Sequence, residues 1–550
     1  MTLKVRRAVK VYMKNLMIRK NIYRNFHNIK DLGSIVSTAG TIQIFKSISD
    51  NSLMRRLLQG LCRYCEKDKG NRLEIALELY VGVRKKACIK CVFAKQFLTP
   101  ILRVASKSFG TNDAQIKKTF KDPYWRRGLA SVIKGIAWFG VTRPFVPGAP
   151  FQVVWNITRA CNLKCRHCYE SAGKPDKNEL NTEDAIRVID ILADAGVLIL
   201  AFSGGEPTVR HDILKLIKHA STRGMYVAMA TNGIALASMD RVKELKNAGL
   251  QFVQISLDGI DPYTHDSFRG VPGAFKKTIQ GIKNCVSEKL FVEIATTATR
   301  FNYEEIPEII DFADELRVNW FMLYNFIPTG RGASMINEDL SPEEREKLLK
   351  LLWKKMKSKN IEVLSTAPQF ARIAQEVENK IAKVMEHAHG SKQQILTELI
   401  EEGLYDETYE CNGTIVPTHF YNPELSGDLK RLADFIGGCG CGRFYLAIEP
   451  NGDIYPCVFF PHEKDVKVGN ILEDDFVHLW KNSKLLWMTR NKAFLEPNCK
   501  GCKYICTCGG CRARAYNYYK NIFAPDPGCI INRNYWLKLQ NDLREGYDLR

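Results

Sequence analysis

No run of eighteen apolar residues occurs anywhere in this chain, and no apolar signal-peptide core follows Met1, so neither a membrane span nor export is expected. There is also no P-loop, no internal repeat and no Ser-His-Asp arrangement, which argues against a P-loop NTPase, a solenoid and a serine hydrolase. Acidic residues are missing from one place in particular. Met1 to Lys30 holds nine Lys and Arg and no acid, with Val5, Val9, Tyr12 and Leu16 on one helical face. That pattern reads either as a cationic amphipathic helix for an anionic surface, making the protein cytoplasmic and peripheral to a membrane, or as a solvated tail. The first 150 residues carry 30 Lys and Arg against 8 Asp and Glu, so a net +22 sits there and the remaining chain is near neutral at −2.

Cysteine, by contrast, is plentiful. Eighteen cysteines in 550 residues stand at metal-type spacings rather than in the pattern of a small disulfide scaffold, so a reducing cytoplasm is expected. At this length two or three domains are expected. Cys161-Asn-Leu-Lys-Cys165-Arg-His-Cys168 is the most informative run. Three thiolates so close together hold three irons of a cubane and leave the fourth open, whereas four cysteines saturate a cluster that then only carries electrons. The alternative is a zinc knuckle with its fourth ligand elsewhere, although zinc hairpins favour C-x2-C pairs.

A series of strand ends follows in order. Phe151 to Ile157 is an apolar run feeding the cysteine loop, and a patterned helix covers about Thr182 to Ala195. Leu198 to Ser203 reads as a buried strand ending in Gly204-Gly205-Glu206-Pro207, where two glycines let backbone approach a ligand and Glu206 offers a carboxylate. Strands at Tyr226 to Ala230, Phe252 to Ile255, Phe291 to Thr296 and Trp320 to Phe326 complete six β-α units. The third ends in Thr231-Asn232-Gly233, the fourth in Ser256-Leu257-Asp258-Gly259 and the last in Pro328-Thr329-Gly330-Arg331-Gly332. Such alternation predicts an α/β fold with a parallel sheet, curved into a partial (β/α)6 TIM-like barrel with its site at the strand C-termini.

The C-x3-C-x2-C run, with the aromatic His167 before its last cysteine, resembles the cluster loop of the radical S-adenosylmethionine (SAM) superfamily. The resemblance implies that a [4Fe-4S] cluster on Cys161, Cys165 and Cys168 chelates SAM through its open iron. It further implies that Gly204, Gly205 and Glu206 bind the SAM amino group, that Ser256 and Asp258 approach the ribose, and that Pro328 to Gly330 lie near the adenine.

A second block has Cys439-Gly-Cys441, Cys457, Cys499-x2-Cys502-x5-Cys508-x2-Cys511 and Cys529. It resembles the SPASM extension, which binds one or two auxiliary [4Fe-4S] clusters. The x2 gap in Cys508-Gly-Gly-Cys511, followed by Arg512-Ala-Arg-Ala, departs from the usual x3 and looks more like the radical SAM haem-synthase branch. One cluster would then use Cys499, Cys502, Cys508 and Cys529, and a second Cys457 and Cys511 with Cys439, Cys441 or both. Cys506 is a spare that could replace Cys508, and a zinc-binding tail is the alternative. Cys285 and Cys411 stand alone and read as structural.

Two further pairs, Cys62-x2-Cys65 and Cys88-x2-Cys91, lie in the basic extension and suit zinc, a single iron or a further cluster, or else are four buried thiols. The expected organisation is a helical extension over 1–110, a linker over 111–150, the barrel over 151–335, a helical connection or insertion over 336–436, the cysteine-rich domain over 437–535 and a tail over 536–550. Ser341-Pro-Glu-Glu starts a helix in the connection, with helical patterning to about Gly403. Tyr405, Tyr409, Cys411, His419 and Tyr421 are candidates to face substrate, while His387 and His389 read as solvated.

The resemblance implies an anaerobic oxidoreductase that splits SAM to a 5'-deoxyadenosyl radical and abstracts hydrogen from an unactivated carbon, using a low-potential donor of ferredoxin or flavodoxin type. Four readings of the substrate stand open. The cationic extension favours C–C coupling or oxidation of a hydrophobic, membrane-lipid substrate. A peptide or protein maturase is the common SPASM role, and the tail favours side-chain oxidation of a tetrapyrrole. The fourth, a nucleic-acid-binding metalloprotein, is not an enzyme; nucleic acid is the least favoured partner.

Overall fold

The computed structural model describes residues 50–108, 112–142, 144–386 and 437–544. Met1 to Lys30, His387, His389 and the substrate-facing candidates from Tyr405 to Tyr421 lie outside the described residues.

A two-stranded hairpin, β1 (Tyr64–Cys65) and β2 (Gly70–Asn71), precedes a ten-stranded sheet. The six expected strands form β3 (Gln152–Thr158), β4 (Ile199–Gly204), β5 (Tyr226–Thr231), β6 (Phe252–Ser256), β7 (Phe291–Ala298) and β8 (Trp320–Asn325), all parallel and in sequence order. The parallel run continues at both edges. β9 (Glu362–Ser365) pairs with β8, and β10 (Tyr445–Ile448), from the cysteine-rich domain, pairs with β3. Antiparallel β11 (Asp453–Tyr455) and β12 (Gly469–Asn470) extend that edge.

Period-two alternation sorts the strand side chains. Val153, Trp155 and Ile157 of β3, Leu200 and Phe202 of β4 and Val292 and Ile294 of β7 join the main core, where helices such as Thr182–Ala195 bury Val188, Ile189 and Leu192. Their sequence neighbours turn inward. Val154, Ala201, Ala228, Gln254, Glu293 and Tyr324 line a cavity of about 1520 Å³. At the strand N-termini it is crossed by Phe252, Phe291 and Trp320, with ring centroids 4.9–5.8 Å apart. Burial on both faces explains why these strands read as nearly continuous apolar runs.

Three expected boundaries differ from what folds. The 111–150 linker contains two helices, Asp113–Thr119 and Pro123–Phe139, and the second buries Ala130, Ile133, Ile136 and Ala137 in a core shared with Ser52–Leu61 and Arg72–Val81. Within it a Cβ on Gly135 would come 2.3 Å from the Val146 oxygen, so glycine permits the crossing that the linker reading missed. The connection includes β9 as well as helices, its first one, Pro342–Ser358, opening on the expected Ser341 cap with a Glu344 capping box. The tail belongs to the Arg533–Arg544 helix, whose Trp536 and Leu539 pack with Tyr518.

Candidate active site and metal centres

The β3 strand delivers its chain into the cysteine loop, and distant residues give that loop its shape. Arg331 donates from Nε to the Cys165 carbonyl at 2.7 Å and from Nη1 to the Ala172 carbonyl at 3.1 Å, while its amide donates to the Cys168 carbonyl at 2.9 Å. Lys164 and Arg166 amides donate to the Arg269 and Phe268 carbonyls. All three thiols line the cavity and share an apolar nest with Leu163 and Ala274. Arg269 Nη1 stands 3.7 Å from Cys165 Sγ, and burial pushes the Cys161 thiol up to about 12. Three thiols converging from one loop onto the cavity wall fit a cluster with one open iron.

The strand-end motifs surround this loop, some on the cavity wall and some packed behind it. A Cβ on Gly204 (φ +116°) would come 2.4 Å from the Thr158 oxygen, and one on Gly205 would come 2.2 Å from the Ala160 oxygen. The two glycines line the cavity and also let the end of β4 lie against the entrance of the cysteine loop. Glu206, fully buried, accepts from the Thr208 amide, the Thr231 hydroxyl at 2.8 Å and the Asn232 amide at 2.8 Å, and does not line the cavity. Its carboxylate ties the β4 turn to the β5 turn.

Ser256 lines the cavity, whereas Asp258 is fully buried behind it, 2.5 Å from Arg269 Nη2 and accepting from the Thr297 amide at 2.8 Å. Burial alone would lower the Arg269 guanidinium; the Asp258 carboxylate and Cys165 thiol more than reverse this, so Arg269 stays charged. His167 stacks on Phe268 with centroids 4.2 Å apart, and burial together with Arg269 holds it well below the usual range, hence neutral. Gly330 (φ +57°) has no room for a Cβ, which would come 2.1 Å from the Tyr169 oxygen. Pro328 and Gly330 therefore sit outside the cavity lining, against the loop, and the neighbouring Arg331 reaches the cavity instead.

The cysteine-rich domain presents its thiols in two groups. Cys499, Cys502, Cys508 and Cys529 surround a small cavity beside Arg372, with Asn532 Nδ2 3.6 Å from Cys499 Sγ. Cys439, Cys441, Cys457 and Cys511 open on the large cavity. Hydrogen bonds from Cys441 and Cys511 hold the Cys439 thiol well below its usual range. Two successive left-handed residues, Gly509 (φ +65°) and Gly510 (φ +66°), reverse the chain so that Cys508 faces one group and Cys511 the other. Cys506 lines neither cavity. Each group has four sulfur donors, which suits a cluster saturated by the protein.

A family model described as the radical SAM superfamily matches residues 155–313, and one described as an iron-sulfur cluster-binding domain, SPASM, matches residues 439–503. An AdoMet-dependent heme synthase of Methanosarcina barkeri is 32% identical over 384 residues, covering 70% of this chain and 97% of that protein. The chain belongs to the radical SAM superfamily. A mycofactocin maturase, MftC, of Mycolicibacterium smegmatis is 29% identical over 390 residues, covering 70% of this chain and 83% of that protein. In fold, the crystal structure of Streptococcus suis SuiB bound to S-adenosylmethionine aligns with a TM-score of 0.52 at 19% identity, over 83% of this chain and 91% of that one.

This radical SAM enzyme therefore carries a SAM-binding [4Fe-4S] cluster and auxiliary iron-sulfur clusters in its SPASM domain, and takes its electrons from a reductant. Among the described residues no helix is long and apolar enough to cross a membrane. Sequence reasoning missed the residues that brace the site. Glu170, two positions after Cys168, shares the Asn156 amide with Glu449 at 2.8 and 2.9 Å, and His462 lies 3.1 Å from Glu449. The His462 ring is pushed up to about 10: burial lowers it, and the two carboxylates overcome that. A charged imidazolium thus pins the cysteine loop to the SPASM domain. The Glu-Pro-Asn-Gly at 449–452, a polar turn leaving a strand, was the available signal for that joint.

The four N-terminal cysteines do not come together as the expected four-thiol set. Cys65, Cys88 and Cys91 converge, but Cys62 caps the Ser52–Leu61 helix and is buried with Leu58, Leu73 and Leu77, where burial pushes its thiol up to about 12. Helical periodicity turns it away from the hairpin, and Asp68 takes its place in the group.

Proposed function

We propose that this radical SAM enzyme oxidises the side chains of a tetrapyrrole of the haem pathway. One observation carries the reading. The three-cysteine loop and the Cys439, Cys441, Cys457 and Cys511 group open on the same large cavity, whose wall between them is aromatic: Phe459 lies 5.3 Å from Tyr169 and 6.2 Å from Tyr324, centroid to centroid. A flat, apolar macrocycle suits such a chamber. The heme-synthase name of the 32% identical relative and the Cys508-Gly-Gly-Cys511 tail support the same class.

In this reading Cys161, Cys165 and Cys168 hold the SAM cluster. Cys499, Cys502, Cys508 and Cys529 hold one auxiliary cluster, and Cys439, Cys441, Cys457 and Cys511 the other. Gly204, Gly205 and Ser256 contact SAM through the cavity wall. The bound groups supply a 5'-deoxyadenosyl radical that takes hydrogen from an unactivated carbon and a redox centre for the electron left behind. The chain's own side chains exclude water and orient substrate. Burial pushes the Glu293 carboxyl up to about 8, so at neutral pH it presents an O–H to the cavity, and Tyr324 is held in place by donating to Gln254 at 2.9 Å. Both would hydrogen-bond polar edges of the substrate.

Anaerobic protein given a low-potential reductant and an iron coproporphyrin should release 5'-deoxyadenosine faster than without the tetrapyrrole and should convert it to a product of lower mass. A peptide that stimulates turnover where the tetrapyrrole does not would replace this reading with the maturase one, which the 29% identity to mycofactocin maturase favours. A lipid substrate has no support among the relatives, and the basic arm that suggested it lies outside the described residues. Docking of that arm on an anionic membrane is a separate proposal, supported by its nine basic residues. Deleting residues 1–30 should then reduce binding to anionic liposomes at low salt. The reductant is proposed to be a ferredoxin or flavodoxin.

A further inference from the structure

We infer that the N-terminal domain binds one zinc ion through Cys65, Asp68, Cys88 and Cys91. The four ligand atoms lie within 4.8 Å of one another. Cys65 Sγ is 3.5 Å from Cys88 Sγ and 3.5 Å from Asp68 Oδ2. A tetrahedral zinc with Zn–S of about 2.3 Å separates its ligand atoms by about 3.5–3.8 Å. Thiols already at that spacing need a single ion. A cubane places its ligands on separate irons, farther apart, and these atoms would have to spread to admit it.

The local sequence builds this geometry. The β1–β2 hairpin pairs Cys65 with Gly70, and Lys69 adopts the left-handed region (φ +49°) to close the turn, which brings Asp68 back beside Cys65. Read with Asp68, the spacing is C-x2-D-x19-C-x2-C, whose long gap falls within the usual range of a zinc ribbon. Cys88 precedes and Cys91 lies in the first turn of the Ile89–Ser108 helix, so a single helical turn presents both thiols to the hairpin. The Cys88 amide donates to both Asp68 oxygens, at 3.2 and 3.0 Å, and so orients the carboxylate. Zinc neutralises half of the charge on three thiolates and a carboxylate, and Lys67, Lys69, Lys85, Lys86 and Lys90 stand close in the chain to balance the rest.

The ion would also supply what this corner lacks. The small cluster beneath it contains only Cys65, Ile75, Leu79 and Cys91 as fully buried members, too little to hold a hairpin with two-residue strands. A closed four-ligand site with no open position is structural, and it would fasten the hairpin to the start of the long helix.

The test uses full-length holoenzyme purified anaerobically with its clusters intact, washed with chelator and supplied with zinc sulfate. Metal analysis should find one zinc per chain beyond the cluster iron. X-ray absorption at the zinc edge should show three sulfurs at about 2.3 Å and one oxygen at about 2.0 Å. Cys88→Ser and Cys91→Ser should each lose the zinc while keeping wild-type iron, whereas Cys62→Ser should keep both. A four-sulfur shell, no zinc retained by the wild type, or equal zinc loss in Cys62→Ser and Cys88→Ser would each overturn the assignment. If the ligand variants fail to fold, the absorption spectrum of the wild type still decides between three sulfurs and four.

Discussion

The cysteine loop after β3 and the N-terminal segment from Cys65 to Cys91 both gather thiols, but the loop is shaped by remote elements and the segment by its own turn and helix start. Around the loop, Arg269 and Arg331 arrive from elements more than a hundred residues away, Arg331 donating to loop carbonyls and Arg269 reaching the Cys165 sulfur. In the hairpin, a two-residue ladder and one left-handed turn bring Cys65 and Asp68 together within four positions. The difference matches what each must do. A site that opens on a large cavity must keep its loop rigid while one face stays free, so the scaffold supports it from behind. A closed structural site lets the ion itself provide the rigidity.

The largest expected effect separates the two regions outright. Replacing Cys161, Cys165 and Cys168 together by alanine should abolish 5'-deoxyadenosine release and lower iron by about four per chain. The Cys88→Ser, Cys91→Ser double variant should still release it. Loss of release in both would mean that the N-terminal region belongs to the catalytic unit and would break the contrast.

Next comes the joint through which the SPASM domain braces the barrel. Asp339, fully buried, accepts from Arg345 at 2.7 Å and from the Tyr518 hydroxyl at 2.6 Å, and pairs with Arg514. Asp339→Ala leaves two buried guanidinium groups facing each other, so denaturant unfolding should show a loss of roughly 3–5 kcal/mol. A loss below 1 kcal/mol would show that the two domains hold together without this hub.

Arg331→Met removes two charge-assisted hydrogen bonds from the loop, worth about 1.5–3 kcal/mol each when buried and less at this half-exposed position. It should lower SAM cleavage more than thermal stability, because its acceptors are loop carbonyls rather than core groups. A melting shift with unchanged cleavage would place the loop's rigidity elsewhere.

The smallest effect concerns pH. Burial and Glu449 push the Glu170 carboxyl up to about 7, and the carboxylate pair pushes His462 up to about 10. Both folded values lie above the ordinary ones, 4.5 for Glu170 and 6.5 for His462, so the full contribution is present only below about pH 4.5. It falls as pH rises through about 7 for Glu170 and about 10 for His462. The melting temperature should therefore decline from about pH 4.5 to about 10, and His462→Gln should flatten the part of that slope above about pH 6.5. An identical slope in the variant would remove the imidazolium from the joint.

Much of the barrel was legible because its strands are buried on both faces and separated by helices with conventional caps. The Thr182–Ala195 helix has an Asn181 cap and a Gly196 stop, and its expected and observed limits coincide. β9 and β10 were harder to see. Both are four residues long, and what makes them strands is the open sheet edge they meet, β8 for one and β3 for the other. The linker reading failed for a similar reason: glycine and proline suggested a loose connection, but Gly135 is where a helix crosses the chain closely.

For the site, spacing along the chain named the cysteine loop and the thiols of the tail, since metal ligands on one loop are constrained by covalent reach. Chain spacing alone left the tail unsorted; the reversal at Gly509 and Gly510, in a crowded buried corner, directs Cys508 and Cys511 to different groups. It also could not show that Glu206 and Asp258 face protein rather than cavity, because the direction of a carboxylate depends on which amides and guanidinium groups the neighbouring strands bring to it. Nor could it exchange Cys62 for Asp68, a choice made when the Ser52–Leu61 helix turned one thiol into an apolar core and the hairpin turned a carboxylate toward the other three. The sequence by itself determined which donors exist and which local turns they stand on. Only the packed structure decided where each points, because burial and hydrogen bonding from remote elements set that direction.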